Sequence, residues 1–213
     1  MNKPKDQKRP SVPPGRIKIS MAIISLLKKK SFDSITWSEI AETAGVNEGL
    51  ISKYFKGKRN LLHEVLHEYD VGFLKLIRHD QENVEGTSNK IRAFISSTLH
   101  YYQESPVLAK ILIIEVRNYP AYFQSDTYKQ IQEYSSILLK IIEEGVDQGE
   151  IRSDIVPSHI RLMIHGVIEH MFLPKVIFGT KVNIEQYTDE ICKLIFGGIL
   201  KHVGSDEKGS FSE

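Results

Sequence analysis

Cysteine is nearly absent from this chain. The 213 residues contain one, Cys192, which excludes an intramolecular disulfide framework and suits a reducing compartment such as the cytoplasm. Long apolar runs are missing too: none reaches the ~18–20 residues that cross a bilayer. The opening stretch, MNKPKDQKRPSVPPGR, is basic and proline-rich and lacks the apolar segment of a secretory signal. Alternating strand patterns and hairpin turns are not found, nor are a phosphate loop, a dinucleotide fingerprint, or a Ser-His-Asp or Cys-His arrangement. These absences argue against a membrane protein, a disulfide scaffold and the common nucleophilic enzymes. They imply no cofactor. What is present is 41% apolar and 26% charged residues, the balance of a soluble globular protein.

The net charge of +1 hides an asymmetry. Residues 1–60 carry ten Lys and three Arg against two Asp and three Glu, a surplus of eight positive charges, and the remainder has a surplus of seven negative ones. A basic head on an acidic body fits a polyanion-binding module joined to a carrier domain, or more simply a solvated basic tail.

Residues 1–15 read as a flexible basic arm. From Arg16 a helical period begins, with Ile19, Ala22, Ile23, Leu26 and Leu27 on one face. Thr36-Trp37-Ser38-Glu39 has the form of a capping box, in which Thr and Glu satisfy each other's backbone amides. Ile40, Ala41 and Ala44 continue that helix, Gly45 stops it, and Asn47 is placed to cap another short one bearing Ile51, Tyr54 and Phe55. Two short helices joined by a glycine turn behind a longer helix make a helix-turn-helix unit. A long helix should follow from about Lys58 to Ile77, then a polar loop at 81–89. Further helical stretches are expected at about 89–104, 106–118, 126–148, 157–177 and 184–202. The expected fold is all-α, about nine helices in all: an arm (1–15), a three-helix DNA-binding domain (16–62) and a larger ligand-sensing and dimerisation domain (63–213).

The second helix of such a unit enters the major groove of double-stranded DNA. Its outward face offers Asn47, Glu48, Gly49, Ser52 and Lys53. Lys53 suits guanine, and Asn47 and Glu48 suit adenine and cytosine edges. Thr36, Ser38, Ser52, Tyr54 and Lys58 are candidates for phosphate contacts. With Leu50 these complete the candidate contact set. The same stretch also reads as an ordinary helical pair inside a larger core.

The stretch from Arg16 to Leu62 resembles the N-terminal domain of TetR-family regulators. The resemblance rests on Arg16, Ile19, Ala22, Leu26, Leu27, Phe32, Thr36, Glu39-Ile40-Ala41, Ala44-Gly45-Val46, Gly49, Tyr54-Phe55, Lys58 and Leu61-Leu62. It implies a homodimer that binds a palindromic operator and releases it when a small molecule enters the C-terminal domain. Repression is the family default. Three positions depart from the pattern: Ser31 stands where glycine is common, Leu50 where a small polar residue is common, and Ser52 where tyrosine is common.

In the C-terminal body, two late helices are apolar on more than one side and so need burial on more than one side. The resemblance implies that they pair with their symmetry mates, which makes Ile164, Ile168, Met171, Ile191, Leu194 and Ile195 candidate interface residues. Core positions within one subunit are the other reading. The candidate pocket, for an effector expected to be lipophilic, is formed by Tyr101, Glu115, Tyr119, Tyr122, Phe123 and Tyr134, with Tyr102, Arg117 and Tyr128 nearby. The segment 141–154 resembles regulators that sense acyl-coenzyme A or other lipophilic ligands. His63-Glu64-Val65-Leu66-His67 matches the zinc-hydrolase pattern H-E-x-x-H. A metal-binding regulator or zinc hydrolase is therefore the rival reading, and a ligand-free activator or architectural DNA-binding protein is another. His159, His165 and His170 have no metal-ligand spacing and read as satisfied core or interface histidines.

Overall fold

The computed structural model describes residues 12–200. Among them are nine α-helices, one π turn and three 3₁₀ turns, with no strand beyond an isolated antiparallel bridge between Ile151 and Leu200. The architecture is all-α. The chain divides into two compact units, one ending at Leu66 and the other starting at His67, against an expected division after residue 62.

The first unit begins with α1 (Pro14–Leu27). Its first residue is a proline, favoured there because its missing N–H would have no helical partner in any case. Pro14 and Gly15, expected to belong to the arm, are therefore helical; residues 1–11 of that arm lie outside the described residues. Ile19, Ala22, Ile23 and Leu27 are buried on one face of α1. A 3₁₀ turn at Phe32–Ser34 leads to α2 (Trp37–Ala44). The capping box forms as expected: the Glu39 amide donates to Thr36 Oγ1 at 3.2 Å, and the Thr36 amide donates to Glu39 Oε2 at 2.8 Å. Gly45 ends α2 with φ 64°, a left-handed conformation that only glycine adopts cheaply. Asn47 then caps α3 (Glu48–Tyr54), its Oδ1 accepting from the Leu50 amide at 2.8 Å. Ile51, Phe55, Leu61 and Leu62 close the core of this unit.

The helix α4 (Lys58–Glu82) begins in the first unit and continues into the second. It runs past Ile77 and shortens the expected loop to residues 83–86. The second unit contains α5 (Thr87–Glu104), α6 (Pro106–Lys110), α7 (Asp126–Asp147), α8 (Pro157–Phe178) and α9 (Ile184–Ile199). The expected single helix over 106–118 is broken. After α6 the backbone widens into a π turn at Ile111–Glu115, tightens into a 3₁₀ turn at Val116–Asn118, and makes another at Pro120–Gln124.

The core of the second unit corrects one expectation. Ile164, Ile168, Ile191 and Ile195 are buried together with Phe94, Leu138 and Phe172 inside a single chain. They are not available as interface residues, because a helix with two apolar sides turns one of them into its own core first. Of the expected six, Met171 is half-buried and Leu194 is exposed. The apolar residues left on the surface of α8 and α9 are Leu162, Met163, Ile177, Phe178 and Leu194.

Candidate DNA-binding face and ligand pocket

The two caps set the geometry of the first unit. Each fixes where a short helix starts, and so which side chains of that helix point outward. Ser38, Glu48, Gly49, Ser52 and Lys53 are all exposed. Asn47 is exposed too, but its carbonyl oxygen is engaged as the cap of α3. Thr36 Oγ1 accepts from the Glu39 amide and donates to Glu39 Oε2 at 3.0 Å, so the hydroxyl is engaged in the box. Lys30 pairs with the same carboxylate. These contacts, led by Lys30, pull the Glu39 carboxyl down to about 2.

Lys58 has a different surrounding from the one expected. Its ammonium donates to three backbone carbonyls, of Phe32 at 3.0 Å, Asp33 at 3.3 Å and Ile35 at 2.7 Å. It also lies 4.7 Å from the centre of the Phe32 ring. Three donors meeting three carbonyls leave no N–H for a phosphate, so Lys58 ties the 32–35 turn to the start of α4. Leu50 is half-buried: a Cβ added to Gly15 would come within 2.9 Å of Leu50 Cδ2, so this leucine packs on the first turn of α1. Tyr54 is half-buried beside the same glycine. Lys56, not among the expected contacts, is exposed next to α3. Only the local run of basic residues around it signalled it in the sequence.

The zinc-hydrolase reading finds no support. Glu64, its required general base, is ion-paired with Arg16, whose guanidinium also covers the Phe55 ring at 5.5 Å. Burial, then Arg59, pushes the pKa of His63 down. Among the described residues no group of three or more His, Cys, Asp or Glu side chains is placed to hold a metal ion.

The second unit contains a cavity of about 340 Å³, toward the lower end of the ~300–1,000 Å³ usual for small-molecule sites. Tyr102, Tyr122, Phe123, Tyr128 and Tyr134 line it with Leu112 and Ile131; the polar lining is Arg117, Ser135, His165 and Glu169. Of the expected pocket residues, Tyr122, Phe123 and Tyr134 are here, while Tyr101, Glu115 and Tyr119 are not part of the lining. Tyr101 stacks on Phe73 at 4.0 Å and donates to Asp70 at 3.2 Å. Tyr122, Phe123 and Tyr128 meet edge to face in a triangle, with ring centres 5.1–5.4 Å apart. Tyr134 is buried, stacks on Phe94 at 4.7 Å, and has its hydroxyl 2.9 Å from that of Thr98.

Arg117 and Glu169 form a two-pronged pair in the cavity wall, at 2.8 and 2.5 Å. His165 lies one helical turn before Glu169, with its Nε2 3.2 Å from Ser135 Oγ. Burial lowers its pKa to about 4, so it is neutral at physiological pH. Neither His165 nor Glu169 was in the expected pocket. Their α8 pattern carries no sign of which face meets α7.

Together these features define a helix-turn-helix protein with a separate cavity-bearing domain. Residues 19–65 match the family model for bacterial regulatory proteins of the tetR family, and residues 66–198 match that for the C-terminal region of YsiA-like proteins. The chain belongs to the TetR family. It is a ligand-responsive, DNA-binding transcriptional regulator. The chain is 25% identical over 193 residues to the fatty acid metabolism regulator protein of Bacillus subtilis strain 168, covering 91% of this chain and 97% of that one. Two solved structures share the fold. The regulator FadR from B. subtilis, solved in complex with stearoyl-CoA, aligns with a TM-score of 0.78 at 24% identity, covering 86% of this chain and 98% of that one. The fatty acid degradation regulator FadR from Bacillus halodurans aligns at 0.79 and 20% identity, covering 89% and 98%. No helix among the described residues is long and apolar enough to cross a membrane.

Proposed function

We propose that this regulator is a cytoplasmic repressor that binds a two-fold-symmetric operator as a homodimer and leaves it when a lipophilic effector fills the tyrosine-lined cavity. It acts by binding, not by catalysis. The observation that carries this reading is the cavity of about 340 Å³, mostly aromatic and apolar but with a charged pair in its wall. That is the composition of a pocket for an amphiphile. The stearoyl-CoA seen in the structurally similar B. subtilis protein supports an acyl-chain ligand.

On the DNA side, Glu48, Gly49, Ser52 and Lys53 of α3 would face base edges and phosphates, with Ser38 and Lys56 against the backbone. Thr36, Asn47, Leu50 and Lys58 would act by setting the position of α3, and Tyr54 by packing beside it. The exposed apolar residues of α8 and α9, Leu162, Met163 and Leu194, are flanked by Gly166, Gly197 and Gly198 and suit a symmetric face between two copies.

The test has two stages. Selection from random duplexes gives the operator, and anisotropy titration of that operator gives affinity. Lys53→Ala is expected to change sequence preference and to flatten the salt dependence by a slope of about one if it contacts phosphate as well. Adding decanoyl-CoA should lower operator affinity, because an effector has to bind the DNA-free form better. Equal affinity with and without such amphiphiles would refute the switch, and unchanged DNA binding in Lys53→Ala would refute the face.

A further inference from the structure

The Arg117–Glu169 pair joins two parts of the second unit that are otherwise differently built. Arg117 stands on the 3₁₀ turn that follows the π turn at Ile111–Glu115, where regular helix has been given up. Such wide turns recur at functional sites, because they cost hydrogen-bond geometry without adding stability. Glu169 stands on the regular helix α8. Both side chains line the cavity, and both remain partly solvated, at 46% and 27% exposed. The pair therefore sits at the cavity's mouth, with water on one side and the tyrosines on the other.

A planar guanidinium held in a fork by a carboxylate is also the shape that receives a second carboxylate or a phosphate. An entering anion offers Arg117 the same two hydrogen bonds that Glu169 supplies. Glu169, partly solvated at 27% exposed, recovers water as it leaves, so the exchange leaves the anion a net gain that the loss of Glu169's partner reduces, whereas a neutral head group has nothing to exchange. We propose that an effector with an anionic head group seats itself by taking Arg117 from Glu169, which opens the clasp between the 111–118 segment and α8. This rests on the cavity being the effector site and names what that site reads. The apolar tail lies among Leu112, Ile131 and the aromatic triangle, and the charge stays at the mouth. The released Glu169 carboxylate shares the cavity wall with His165, one turn earlier on α8 and already held by Ser135, and with Tyr102 and Tyr122.

The two sources of such an anion are a free carboxylate and the phosphates of a thioester carrier. Calorimetric titration of the full chain with decanoate, decanoyl-CoA and decanol separates them and supplies a neutral control. In the native protein at least one anion should bind about tenfold tighter than decanol, the value of one hydrogen bond to a charged group. Glu169→Gln removes the competitor and should tighten that anion by about tenfold while leaving decanol unchanged. Arg117→Gln should bring the anion down to the affinity of decanol, and unchanged decanol binding shows that the pocket is still formed. A Glu169→Gln protein that binds the anion no tighter, or an Arg117→Gln protein that keeps its anion preference, would overturn the clasp. If decanol binds as well as either anion and also releases the operator, the effector pocket stands and the clasp is wrong. If no probe binds at all, both readings fall.

Discussion

Asp70 on α4 is 2% exposed, and one of its carboxyl oxygens, Oδ2, has no hydrogen-bond partner. The other accepts from Tyr101 at 3.2 Å. Burial raises the carboxyl's pKa from an ordinary 3.8 to about 7, with the Tyr101 hydrogen bond pulling the other way. The folded state thus holds a proton that the unfolded chain has lost. Folding takes up that proton between about pH 4 and pH 7, and stability falls as pH rises through this window. Each tenfold change in a protonation equilibrium is worth ~1.4 kcal/mol, so the ionised carboxylate costs the fold about 4 kcal/mol above pH 8, of which about 2–3 kcal/mol emerges between pH 5 and pH 8. Asp70→Asn keeps an acceptor for Tyr101 and removes the titration. Its amide N–H₂ takes the place of the unpartnered oxygen, at a cost of ~1–3 kcal/mol for an unsatisfied donor. The variant should therefore match the native protein near pH 5 and exceed it by about 1–3 kcal/mol at pH 8. Urea unfolding followed by far-ultraviolet circular dichroism at the two pH values measures this. A difference between the two proteins that is the same at pH 5 and pH 8 would show that Asp70 is not the titrating group.

Three further outcomes are expected. Thr36→Ala removes half of the capping box and should lower stability by about 1 kcal/mol, read as a change in the urea midpoint. Lys58→Ala should cost about 1.5–3 kcal/mol of stability, because it abandons three carbonyls and an aromatic face; a fully stable variant with weakened DNA binding would instead restore a phosphate role. Leu194→Asp, at a position 69% exposed, should leave the fold intact and convert the proposed dimer to a monomer in light scattering; a dimer mass unchanged by the substitution would move the interface elsewhere.

The helix-turn-helix was legible because its signals are local. A capping box spans four residues, a left-handed glycine ends one helix, and an asparagine starts the next. None of these needs a distant partner to form. The same locality explains why the set of exposed residues on α3 could be anticipated, and why the resemblance to the TetR family was carried by that region. Thr36 and Asn47 were each readable as a cap and as a DNA contact, and in the structure their side-chain oxygens serve as caps.

The contacts decided by long-range packing were not legible. Lys58 meets carbonyls 23–26 residues away, and nothing in its own neighbourhood distinguishes that from reaching a phosphate. Ile164, Ile168, Ile191 and Ile195 have the pattern of an interface or of a core, and only the packing of α5, α7, α8 and α9 assigns them to the core. The sequence marked the middle tyrosines as pocket candidates. Which of them face a cavity depended on a π turn that reset the helical register after Lys110 and on which side of α8 meets α7. Local chemistry determines where helices begin and end; the burial of their faces against one another determines which side chains remain to meet a ligand, because that choice is made by the sum of many contacts distant along the chain.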